Sequence, residues 1–68
     1  MLEFKTANYN GMDVTMYRIG DHLWISNVMS NGQHIVNQFN YDKMIWMQST
    51  YTTDEVENVF NISSDVLK

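Results

Sequence analysis

The side chains able to do chemistry in this 68-residue chain are two histidines, His22 and His34, eight carboxylates and a scatter of hydroxyls. A metal ion needs three or four converging donors, and the chain has no cysteine to contribute. In the strand register read below, His22 and His34 fall on opposite sheet faces, so they share no ion. Ser26 and His22 share a face but lie ~13 Å apart along a strand, too far for nucleophile and base. The three glycines are all used by tight turns, so no phosphate-cradling loop remains. Asp13 is the single acid on the aromatic face, and no pair of carboxylates converges on an apolar pocket. A domain this small also has little room for a buried substrate. The expectation is a non-enzymatic chain without metal or cofactor.

Composition narrows the partners. Eight acidic residues against four basic ones give a net charge of -4, which argues against a phosphate-backbone binder. Charged residues make up 18% of the chain, below the ~25% usual for soluble domains. With two Trp, four Tyr, three Phe and six Met, some apolar surface is expected to stay outside. The absence of cysteine fits a reducing cytoplasm. No charged-then-apolar leader opens the sequence and no apolar run approaches ~20 residues, so neither secretion nor a membrane span is expected.

The elements that must position these side chains follow from turn signals at nearly constant spacing: Asn10-Gly11, Gly20-Asp21, Asn31-Gly32 and Tyr41-Asp42. Asn-Gly suits a two-residue type I′ turn and Gly-Asp a type II′ turn. The segments between them are rich in Val, Ile, Thr and aromatics and free of proline, as strands require. The reading is one α+β, mainly β domain over residues 1–68. It is a five-stranded antiparallel meander with strands at 2–9, 12–19, 22–30, 33–40 and 43–50, followed by a C-terminal helix over 53–61. Thr52 to Glu55 forms a capping box for that helix, and Asp54, Glu55 and Glu57 sit at its positive dipole end. Val56, Val59 and Phe60 form its apolar stripe, and Asn61 is the expected stop. Residues 62–68 form a second short turn, capped by Ser64, or a tail.

Two-residue hairpins fix cross-strand partners: Tyr9 with Met12, Ile19 with His22, Ser30 with Gln33 and Asn40 with Lys43. Tyr41-Asp42 is the turn where a slip of register is most expected. One face is then aliphatic, with Ala7, Val14, Val36 and Met47 beside Met16, Ile25 and Ile45. Lys5, Arg18 and Lys43 belong to this face, and Glu3 pairs Arg18. Met12, Met16, Met29 and Met47 share it as core filler. The other face carries an aromatic row, Phe4, Tyr17, Trp24 and Phe39, with Trp46 beside it.

Strands of ~8 residues make a sheet ~26 by ~24 Å, whereas a nine-residue helix is ~14 Å long and ~10 Å across. The helix therefore covers one face only. It is assigned to the aliphatic face, because the Thr6, Thr15, Ser26 and Asn37 row on the aromatic side would need polar partners in a dry core. Curling into a small barrel is the competing way to hide a face.

Phe4, Tyr17, Trp24, Phe39 and Trp46 are thus the candidate partner-binding residues. The leading expectation is a small protein–protein interaction module, a regulator or inhibitor of a larger protein. Phage and mobile-element anti-host proteins are one class with this compact, acidic, cysteine-free character. A homodimer or higher species with that face as shared core comes second. Base stacking on a single-stranded nucleic acid comes third, because the cations point to the opposite face.

Overall fold

The computed structural model describes residues 3–67. One antiparallel sheet runs in sequential order through β1 (Glu3–Tyr9), β2 (Met12–Ile19), β3 (Leu23–Ser26), β4 (Gln33–Asn40) and β5 (Ile45–Thr52). The helix α1 (Thr53–Phe60) and a 3-10 turn (Ser64–Leu67) follow. This is the α+β meander expected from the turn spacing. The expected first residue of strand 1, Leu2, and the chain end at Lys68 lie outside the described residues.

The hairpins decide which side chains share a face. Asn10 and Gly11 have φ of 52° and 81°, the two positive values a type I′ turn requires, and Tyr9 pairs Met12 as expected. The second turn departs from expectation. Ile19 pairs Leu23 instead of His22, so Gly20, Asp21 and His22 form a three-residue loop. One extra residue reverses the facing of everything that follows.

At the third turn, Met29 N–H donates to the Gln33 carbonyl at 2.7 Å and Gly32 N–H to that of Met29 at 2.9 Å. With Gly32 at φ 79°, this is a type I turn closed by a glycine bulge, and it replaces the expected Ser30–Gln33 pair. β3 stops at Ser26, short of the expected residue 30. The Ser26 hydroxyl accepts from Ile35 N–H at 2.6 Å in place of a backbone partner. From Ile25 to Met29 the chain gains one residue on β4, which turns Met29 to the side opposite Ile25.

At the fourth turn Asn40 pairs Ile45 instead of Lys43, across a four-residue loop. Its entry is held by Lys43 N–H donating to Asn40 Oδ1 at 3.1 Å. That slip is two residues, so facing within β4 and β5 is kept. The reversal lies at Gly20, not at Tyr41-Asp42.

Each face now holds its own cluster. On the helix side Leu23, Ile25, Val36, Val56 and Leu67 are buried, flanked by Tyr17, Ile19, Tyr51, Phe60 and Ile62. α1 therefore covers the expected Ile25 and Val36 of strands 3 and 4. Beneath strands 1 and 2, however, the reversal brings Phe4 and Tyr17 to this side in place of Val14 and Met16. On the opposite, open side Val14, Met16, Met29 and Ile35 are buried, packed by Ala7, Tyr9, Met12 and Trp24. The sheet stays open, with β1 and β5 at its edges, yet it curves enough that residues of all five strands line one cleft.

The capping box forms as read: Glu55 N–H donates to Thr52 Oγ1 at 3.2 Å and Thr52 N–H to Glu55 Oε1 at 3.0 Å. Asn61 ends the helix in the left-handed region. Within the expected stripe Val56 is buried and Phe60 meets Tyr51 edge-on at 5.3 Å. Val59 instead is 61% exposed, because an eight-residue helix over a narrow patch buries less than a full stripe. Burying Val56 stabilises by ~1.5–3 kcal/mol.

Candidate docking surface

The five residues read as one aromatic row are divided between the two faces. Phe4 and Tyr17, with centroids 6.5 Å apart, lie on the helix side at the β1 edge. Trp24, Phe39 and Trp46 lie together on the open side, where Phe39 pairs Trp46 directly across the ladder. Phe39 meets Trp46 edge-on at 5.4 Å and Tyr41 edge-on at 5.0 Å. Such tilted contacts are favoured by ring quadrupoles. The three-residue loop at Gly20 divides the row, and the break falls between β2 and β3.

The same reversal changes the polar company of these rings. Lys5, Arg18 and Glu3, expected on the opposite face from the aromatic row, share the open side with Trp24, Phe39 and Trp46. Lys5 Nζ stands 4.6 Å from the centroid of the Trp24 ring, a cation–π contact. Arg18 donates to Glu3 Oε2 at 3.0 Å and to the Gly20 carbonyl at 2.8 Å. Asp13, read as the acid of the aromatic face, lies on the helix side, opposite Asn8. A cleft of about 360 Å³ is lined by Lys5, Ala7, Met16, Trp24, Asn37 and Trp46. Asn37 Nδ2 is turned toward Met16 Sδ at 3.6 Å, leaving its amide oxygen for another donor.

Next to the cleft the β4–β5 loop and β5 are exposed from Tyr41 to Thr50. Tyr41, Met44, Ile45, Trp46 and Met47 are 58%, 70%, 50%, 48% and 45% accessible. Met47, read as core filler, belongs to this exposed run. Single exposed hydrophobics are ordinary; Ile45 and Met47 alternate to the helix side, whereas Trp46, grouped with Phe39 and Tyr41 on the open side, marks an interaction surface.

The polar clusters elsewhere are structural in geometry. His34, on the helix side, is buried, with Nδ1 2.6 Å from the Ser26 carbonyl and Nε2 3.0 Å from Thr53 Oγ1. A carbonyl only accepts, so Nδ1 carries a proton, and Nε2 shares a hydrogen bond with the Thr53 hydroxyl. The imidazole thereby ties the start of α1 to β3. His22, expected on a strand face, stands in the second turn beside Asp21, at 3.2 Å. Ser26 and His22 therefore do not share a face. Tyr41 donates to Asp21 Oδ1 at 3.3 Å. The hydrogen bond from His22, with those from the backbone and Tyr41, holds the Asp21 carboxyl below its ordinary range. Desolvation, then the Asp21 charge, pushes the Tyr41 hydroxyl up. Among the described residues no three His, Asp or Glu side chains converge to hold a metal ion. No helix among them is long and apolar enough to cross a membrane.

No family model matches the chain, and no curated protein or solved structure matches it. The sequence places Asn37 and Tyr41 on the aromatic side but Lys5 on the other; the position of Lys5 over Trp24 depends on the length of the Gly20 loop.

Proposed function

We propose that this protein is a small non-enzymatic interaction module that docks its open sheet side on a larger protein as a regulator or inhibitor. The observation that carries the reading is the exposed Trp46 beside Trp24 and Phe39 on the open side, with Tyr41 against Phe39. Nothing in the described fold packs over it. Aromatic anchors ringed by adaptable methionines and a few polar groups are the composition of an interface centre. A reducing cytoplasm is the setting proposed, from a chain that needs no disulfide. Affinity capture from cell extract with wild-type protein and with Trp46→Ala, read by mass spectrometry, tests it. A partner recovered by the wild type and lost with Trp46→Ala supports the reading, and equal recovery by both rejects the face.

A second reading is favoured by the position of Lys5 and Arg18 on the aromatic side. Bases of a single-stranded nucleic acid would stack on Trp46 while the two cations meet phosphates. It ranks second, because Glu3 already pairs Arg18 and the chain carries a net charge of -4. Quenching of tryptophan fluorescence by an oligonucleotide, abolished by moderate salt, is its signature.

A further inference from the structure

The outer edge of β5 carries an inference separate from the docking face. Natural sheets blunt their edge strands with charge, proline, bulges or brevity. β5 runs eight residues, Ile-Trp-Met-Gln-Ser-Thr-Tyr-Thr, with no charged residue and no proline, and pairs β4 without interruption from Ile45 to Thr52. It ends the sheet, so its far edge presents unpaired backbone donors and acceptors. The opposite edge is guarded, since β1 carries Glu3 and Lys5.

We propose that two copies of this chain pair antiparallel through the outer edges of β5, about a two-fold axis near Gln48, to form one continuous sheet. Two identical eight-residue uncharged edges match in length along the whole strand, and charge selects the direction. The flanks of β5 are unlike: Asp42 and Lys43, of opposite charge, precede it, whereas the three carboxylates Asp54, Glu55 and Glu57 follow at the start of α1. Parallel pairing would set two acidic helix starts side by side. Antiparallel pairing separates them by the strand length, ~27 Å, well beyond a Debye length.

Backbone geometry fixes how the faces join. Outward N–H and C=O groups occur on alternate residues, and in an antiparallel ladder directly opposed residues are both outward or both inward. Two identical edges therefore meet only at registers that pair residues of the same parity, such as Trp46 with Thr50 and Gln48 with Gln48. Residues of one parity share one side, so open side joins open side. The pair presents both Trp24–Phe39–Trp46 groups on one broad surface, and strand addition flanks the exposed Ile45, Trp46 and Met47.

The chain's lack of cysteine makes the test clean. Single Gln48→Cys and Thr6→Cys variants, at exposed positions of β5 and β1, are oxidised at low micromolar concentration. Light scattering on wild type and Gln48→Lys gives the mass. Expected are a wild-type mass twice the 8.0 kDa chain and a Gln48→Cys cross-linked dimer, because directly opposed residues lie within disulfide reach. Thr6→Cys stays uncrosslinked, and Gln48→Lys is folded with at least a tenfold weaker dimer. A wild type that stays monomeric to millimolar concentration overturns the proposal. So does cross-linking through Thr6→Cys, or a dimer lost with Trp46→Ala but kept with Gln48→Lys. The cross-linking and Gln48→Lys results do not bear on capture of a larger protein by the open side.

Discussion

Burying an imidazole is tolerable only when both ring nitrogens find partners, and His34 meets that condition through Ser26 and Thr53. Thr53→Val keeps the shape and removes the hydroxyl, leaving Nε2 unpaired. A loss of ~1–3 kcal/mol is expected, read as a lower melting temperature with the fold intact. Trp24 and Trp46 divide the work of the open side. Trp24 packs into the Val14–Met16–Ile35 cluster beneath Lys5, so truncating it costs stability as well as binding. Trp46 is 48% exposed, so truncating it costs less stability than truncating Trp24. The contact between Tyr41 and Asp21 has its own pH window. Asp21 has a lowered folded value, so its contribution is present above the ordinary carboxylate range and is lost as pH falls through the lowered value. Tyr41 has a raised one, so its contribution is full below the ordinary phenol range and is lost at higher pH. Both groups are exposed, so the effect is local. NMR shifts of Tyr41 and Phe39 should move together in acid while those of Ile25 and Val56 hold still.

Among the elements, Thr52→Ala should cost ~1 kcal/mol by removing the helix cap, measured by denaturant titration. Gly20→Ala should cost ~1–2 kcal/mol, because Gly20 sits at φ 70°. Both sites were legible in the sequence, as were the strand order, the Asn10-Gly11 turn, the capping box and the Asn61 stop. These are local signals, each written in residues whose conformational preference is strong. Loop length at Gly20-Asp21 was not legible. Alternation normally pins register by putting apolar residues on one side. In β3 both sides are apolar, Leu23 and Ile25 against Trp24, so hydrophobicity does not distinguish a two-residue turn from a three-residue one. The error moved the first two strands to the wrong side of the last three and drew a single aromatic row where two groups exist. In the β1–β2 half, Val14 and Met16 still fall with Met29, because the extra residue after Ile25 reverses the facing a second time. Where the slip was expected, at Tyr41-Asp42, it came to two residues and changed the neighbours of Phe39 without changing its side.

At the scale of the whole molecule, the sheet buries a small cluster on each side with one eight-residue helix and its own curvature. Val56 and Leu67 close the helix side, while the curve closes part of the open side over Met16 and Ile35. What neither device covers is β5 with the loop before it, and there an uncharged strand edge and an aromatic surface meet. A core position behaves differently from that surface: Ile25→Ala should cost ~2–5 kcal/mol, enough to unfold so small a domain. The most direct measurement is the Trp46→Ala variant, read at once for its melting temperature and for its affinity to the protein captured by the wild type. A docking face predicts a melting temperature close to wild type with binding weakened by ~2 kcal/mol or more. A variant that binds like the wild type, or that loses binding only because it has unfolded, would contradict the claim that the open side is where this protein meets its partner.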